Sequence, residues 1–218
     1  ALGGAARGLS EAYGVTVTPV AADITTAEGR ARVLDALGGQ ADILVTNAGG
    51  PPPGTWTDWS RDDFIRAIDG NMLSAIALMQ ALVPGMMDRG WGRVVNITSA
   101  AVRSPIAELG LSNSARSGLT GFVAGMSRQV AARGVCVNNL LPGAFDTDRL
   151  RKTMQAGAAK SGVSVDDMAD RRRQGIPAQR FGSAEEFGAI CAFMCSAQAG
   201  YLTGQNILLD GGAYPGTF

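Results

Sequence analysis

A chain of 218 residues is long enough for one domain with a large core, and its 19 basic and 19 acidic residues balance with no run of like sign, which excludes the charge footprint of a nucleic-acid or acidic-membrane partner. It contains no histidine, which excludes a Ser-His-Asp hydrolase and any histidine base. Cysteines and carboxylates do not cluster suitably for a metal, so none is expected.

Residues 1–13 are alanine-rich, with Leu2 and Leu9, and read as the end of a helix stopped by Gly14. The alternative, a dinucleotide-binding glycine turn at Gly4 and Gly8, needs an apolar strand before it, and only Ala1, Leu2 and Gly3 precede it. Residues 15–20 alternate as a strand does, and an amphipathic helix over 26–37 is closed by Gly38 and Gly39. Residues 41–46 make a second strand, nearly all apolar, as parallel strands buried on both faces are. It stops at Asn47, Ala48, Gly49 and Gly50 and a proline-rich turn over 51–54.

Ser60 and Asp63 have capping-box spacing for the next helix, where Phe64, Ile68, Met72, Leu73 and Ile76 recur at helical intervals around Asn71. Gly90 and Gly92 end it. The strand over 94–99 then delivers the hydroxyls of Thr98 and Ser99 to the carboxyl end of a sheet, where open α/β folds bind ligands. Leu111 opens a helix running to about Arg133, with Ser112 and Arg116 four apart on one face.

Residues 135–141 form another strand, broken by Pro142 and Gly143. Residues 146–180 are polar, with only short helical patterns, and read as a substrate lid. Ser183 and Glu186 cap a helix carrying Phe187, Ile190, Phe193 and Met194, and a last strand over 206–209 leads to Asp210, Gly211 and Gly212. Cys136, Cys191 and Cys195, an odd three, read as core thiols of a reducing compartment, so a cytoplasmic protein is expected. No uninterrupted apolar span reaches membrane length, and the first residues do not read as a signal peptide. Strands and helices alternate without an internal repeat, so the expectation is an α/β fold, a doubly wound parallel sheet forming one domain over residues 1–218.

In order and spacing these landmarks resemble the short-chain dehydrogenase/reductase family, where a serine is followed about a dozen residues later by Tyr-x-x-x-Lys. Here Ser99 stands as that serine, with Ser112 in the place of the tyrosine and Arg116 in the place of the lysine. The resemblance implies a Rossmann-like domain using NAD or NADP. It assigns Asp23 and Ile24 to the adenine, and Asn47, Ala48 and Gly49 to a turn that lets backbone approach the cofactor. Asn71 is assigned to a proton-relay water, and Pro142, Gly143 and Thr147 to the loop over the nicotinamide and phosphates. The match begins at the family's third strand. The first βαβ unit, with its glycine-rich phosphate turn, is therefore absent from this sequence, and an N-terminally incomplete domain lacking roughly sixty residues is expected.

In the family the tyrosine protonates the developing alkoxide, its pKa lowered from about 10 by the lysine. A serine is far less acidic, and an arginine stays charged and shuttles no proton. The expected function is hydride transfer between NAD(P) and a small carbonyl or alcohol substrate, with weak or atypical acid-base chemistry. Ser99 would bond the substrate oxygen, Arg116 supply charge, and Asn71 hold a water that donates the proton. The alternative is a catalytically silent homologue that binds a nucleotide or a partner chain.

Plainer readings stand beside these. Ser99 is a turn residue, Ser112 a helix N-cap, Arg116 a solvated helix arginine, and Asp23 a cap for the helix at 26. Tyr201 and Tyr214 read as packing residues, with either a conceivable replacement acid. The family often forms dimers or tetramers, and the small-residue face at Gly118, Gly121, Ala124 and Gly125 would permit a homodimer or homotetramer.

Overall fold

A computed structural model describes residues 2–217. Four strands, β1 (Ile43–Thr46), β2 (Gly92–Ile97), β3 (Val135–Pro142) and β4 (Asn206–Leu209), lie side by side in chain order, all parallel. The helices are α1 (Leu2–Tyr13) and α2 (Ala27–Ala36) ahead of β1, and between the strands α3 (Arg61–Ile68), α4 (Ser74–Arg89), α5 (Gly110–Val130), α6 (Asp148–Ser161), α7 (Val165–Gln174) and α8 (Ala184–Met194). Parallel neighbours need such crossovers, so the alternation read from the sequence produces this layering.

Each strand of the centre serves two cores. Val94, Val135 and Val137 pack against Met79, Leu82, Val83 and Met86 of α4 and Leu119 and Val123 of α5. The alternate residues Val95 and Leu140 face Met194 of α8, with Phe187, Ile190, Cys191 and Cys195 around it. Buried polar side chains tie neighbouring strands together: Thr46 Oγ1 donates to Asn96 Oδ1 at 2.6 Å, and Asn139 Nδ2 to Asn206 Oδ1 at 2.8 Å. Unpaired, such groups would be costly, so a one-residue slip of register is penalised twice, in apolar burial and in lost bonds.

Gly14, at φ +63°, ends α1, and the helix rather than the glycine turn stands over Gly4 and Gly8. Ala1, counted in that helix, lies outside the described residues. Both capping boxes form, at Ser60 with Asp63 and at Ser183 with Glu186.

Two expectations are corrected. Residues 15–20 alternate as a strand but have no ladder partner among the described residues, so they run outside the sheet. The predicted strand at 41–46 shortens to β1 and is not buried on both faces: Ile43 and Val45 are 47% and 43% exposed. The short helical patterns of the polar stretch 146–180 form two helices. Its α6 and α7 pack on each other through Leu150, Met154 and Ala169, with Met168 and Phe181 alongside, a core too small to show in composition. The helical run Arg61–Arg89 has a mean hydropathy of 1.3 over its most apolar window and would be long enough to cross a bilayer by length alone. Half of that window is buried, as in a core helix.

Candidate active site

The carboxyl ends of β1, β2 and β3 carry most of the predicted residues. Ser99 follows β2 in extended backbone, half-buried, and its Oγ accepts from Ala101 N–H at 3.1 Å. It therefore starts a short 3₁₀ turn, as the plain reading has it, yet its hydroxyl proton remains available to a ligand oxygen.

Between α3 and α4 the helix widens into one π-turn, Asp69–Leu73, and Asn71 lies inside it. Such turns are frequent at functional sites. Asn71 is 8% exposed and its Oδ1 has no protein partner.

Arg116 is not a solvated arginine. It is 7% exposed, and its Nη1 donates to Ile97 O at 3.0 Å and to Thr98 O, while Nη2 donates to Ala48 O at 3.3 Å. One guanidinium thus joins the ends of β1 and β2. Its Nε has no partner. Burial, and then the nearby charge of Arg149, lower its pKa to about 10, so it remains cationic at neutral pH.

Ser112 is buried and lies within α5, whose N-cap position is Leu109, so the cap reading fails. It sits one turn from Arg116 on the same helix. Asp23 does not cap α2 either, because Thr26 does, through Oγ1 accepting from Gly29 N–H at 3.0 Å. Asp23 Oδ1 instead accepts from Thr25 N and Oγ1 at 2.9 and 2.8 Å, which holds its carboxyl below the usual range. The turn is exposed, and Oδ2 is left for another donor.

Pro142 ends β3, and Gly143 N donates to Leu209 O at 2.8 Å. A Cβ on Gly143 would stand 2.7 Å from Asp210 Cβ, so glycine is required where this loop meets the end of β4. Thr147 is the N-cap of α6, its Oγ1 accepting from Leu150 N–H at 3.2 Å.

Five predicted residues come together. Ile24, Asn47, Ala48, Asn71 and Arg116 line one recess of about 10 Å³, close to the volume that holds a single water. Gly49 continues the turn. Ser99, Ser112, Asp23, Pro142, Gly143 and Thr147 do not line it. A larger cavity of about 450 Å³ lies between Phe145, Ile190, Leu209 and the Arg180–Glu186 ion pair, and reaches none of Ser99, Asn71 and Arg116.

Tyr201 is fully exposed ahead of β4, at the opposite end of the sheet, so it is no replacement acid. Tyr214 follows β4 at the site's end, its N–H bonded to Asp210 Oδ2 at 2.8 Å. Among the described residues no group of three or more Cys, Asp or Glu side chains is placed to hold a metal. Arg149 went unmarked in the sequence, because it becomes part of the site only through a contact with Gly50, distant along the chain.

The profile of the enoyl-(acyl carrier protein) reductase family matches residues 2–214. The chain belongs to the short-chain dehydrogenase/reductase family. Acetoacetyl-CoA reductase of Cupriavidus necator is 34% identical over 180 residues, covering 82% of this chain and 68% of that protein. The 3-oxoacyl-[acyl-carrier-protein] reductase FabG of Vibrio harveyi is 30% identical over 216 residues, covering 97% and 83%. L-sorbose reductase of Gluconobacter frateurii, solved with NADPH and L-sorbose, superposes with a TM-score of 0.93 at 30% identity, over 99% of this chain and 83% of that one. These short-chain relatives are reductases, which bears out the Rossmann-like fold and the oxidoreductase reading and does not favour the silent one.

Proposed function

We propose that this chain carries out hydride transfer between NADPH or NADH and the carbonyl of a small molecule, with a buried water in the place of the family's tyrosine. The relatives' activities support the reaction class, and the NADPH held by the sorbose reductase supports NADP. The residues fit such a cofactor: Asp23 keeps a carboxylate oxygen for an adenine amine, and Ala48 and Gly49 leave the backbone open to close approach.

The observation that carries the reading is the recess holding two buried polar residues with unpartnered atoms, Arg116 Nε and Asn71 Oδ1. A water there accepts from Arg116 Nε–H and donates to Asn71 Oδ1. Arg116 lowers the cost of an alkoxide nearby and raises the acidity of that water, without giving up its own proton. When bound, the nicotinamide supplies the hydride. Ser99 Oγ–H donates to the substrate oxygen as negative charge develops on it. The proton that this water gives to the alkoxide is replaced from bulk solvent, and Ser112, one turn from Arg116 on α5, serves as a substrate contact outside the recess. General-acid help is worth about 10²–10⁴-fold, and a water donor falls at the low end, so slow turnover is expected.

Residues 146–180 serve as the lid that selects the substrate. We further propose a cytoplasmic homodimer or homotetramer, supported by the free thiols and by open space over Gly121 and Gly125 on α5.

The test is to express the complete reading frame, titrate it with NADH and NADPH, and assay a panel of ketones. Turnover that falls by about 100-fold or more in Ser99→Ala, with cofactor affinity retained, supports the assignment. Binding without turnover in the wild type means a silent homologue. No binding of either cofactor removes the proposal.

A further inference from the structure

The acids that begin α6 are already engaged. Asp146 Oδ1 lies 2.6 Å from Arg151 Nη1, and Asp148 Oδ1 lies 3.4 Å from Arg151 Nη2. Arg149, between them, has no carboxylate or other hydrogen-bond partner for its guanidinium among the described residues. It lies instead against Gly50, where a Cβ would stand 2.4 Å from Nη1 and 2.6 Å from Nη2. Gly50 closes the same turn whose Ala48 carbonyl accepts from Arg116.

Arg116 has no carboxylate either: its acceptors are three neutral carbonyls, and its Nε has none. The two guanidinium groups are near enough for the charge of Arg149 to help lower the pKa of Arg116. Arg149 also occupies the first turn of α6, where the helix dipole is itself positive and a cation is unfavourable. Two cations therefore converge on one turn at the ligand-binding end of the sheet, beside a helix amino end, and among the described residues neither guanidinium is paired with a carboxylate. An anion at that place would relieve both repulsions at once.

We infer that Arg149, backed by Arg116, forms an oxyanion-binding site over the turn at residues 47–50, for a carboxylate or a phosphate ester. Arg149 is the contacting residue, since its planar fork is exposed and suited to two parallel N–H···O bonds. Arg116, behind the turn, is a positioning residue that supplies field. Only the source of the oxyanion rests on the hydride-transfer reading: it is the substrate's own anionic group or a phosphate of the dinucleotide.

Arg149→Gln removes the charge at an exposed position while keeping length and polarity, and Arg149→Lys restores the charge. Thermal unfolding is followed in inorganic pyrophosphate and in acetoacetate at matched ionic strength. Wild type is expected to gain Tm with at least one of them, Arg149→Gln to lose that gain, and Arg149→Lys to recover part of it. NADPH and NADH titrations without substrate, and kcat/KM for acetoacetate against methyl acetoacetate, then separate the sources. A Kd for both dinucleotides weakened roughly tenfold in Arg149→Gln assigns a cofactor phosphate. An unchanged Kd with a roughly tenfold loss of preference for the acid over its ester assigns the substrate. Equal protection of wild type and Arg149→Gln, with unchanged Kd and unchanged acid-to-ester ratio, overturns the site. If wild type binds no dinucleotide while Arg149-dependent protection persists, hydride transfer fails and the anion site stands.

Discussion

Arg116 joins two strand ends with one buried side chain, so structure and proposed chemistry meet on the same atoms. Arg116→Ala strips Ile97 O, Thr98 O and Ala48 O of their donor, and a loss of about 2–3 kcal/mol is expected, read from the urea midpoint. Arg116→Lys should lose less stability and keep measurable turnover where Ala has none, because the charge survives although the fork does not. Gly29 illustrates a different constraint. A Cβ there would fall 1.8 Å from Asp23 O, so Gly29→Ala must displace the turn at Asp23, proposed to meet the adenine. A loss of about 1–3 kcal/mol is expected, with weaker dinucleotide binding measured by titration. At this scale the sequence was informative about which residues matter and less so about what they touch. Ser112 and Arg116 share a helix face by spacing alone, whereas the carbonyls around Arg116 come from two strands.

At the scale of elements, the capping-box signals held. Both capping boxes form where their Ser and acidic residues predict, because every partner lies within one helical turn. The second box carries a pH signature. Hydrogen bonds from Arg180 and from Ser183 N–H hold Glu186 at about 2, well below an ordinary glutamate. A carboxylate depressed in the folded state stabilises above its unfolded pKa and ceases to do so as pH falls through the folded one. Glu186→Gln is therefore expected to have a lower Tm than wild type at pH 7, with the gap closing between about pH 4.5 and 2 in a thermal scan. The packing within residues 146–180 was not legible in the sequence for the converse reason. The contact of α6 with α7 rests on a few apolar residues spread over both helices and completed by Phe181, and no short window contains them.

Across the whole molecule, stability is concentrated where the central strands meet α4 and α5. Met79, with 0% exposure, touches both that core and Asn96 Nδ2, at 3.8 Å from its sulfur. Met79→Ala should cost about 2–5 kcal/mol by urea unfolding, among the largest single losses available. The outer face of α5 is the counterpart: nothing lies within 4 Å of a Cβ on Gly121 or Gly125. If this face joins subunits, Gly125→Arg should leave the protomer folded and shift the mass seen by light scattering to the monomer. An unchanged mass would place the interface elsewhere.

By itself the sequence determined the α/β alternation, the capping boxes and the order of the strands' landmarks. All of these rest on periodicity, on short-range hydrogen bonding, or on residue identity at a known spacing. Only the tertiary structure decided that residues 15–20 stay outside the sheet, that β1 is half exposed, and that 146–180 is a helix pair. It alone brought Asn71 and Arg116 to one recess and Arg149 onto Gly50. Those outcomes depend on which neighbours supply hydrogen bonds, apolar cover and charge from remote parts of the chain, and no local pattern encodes them.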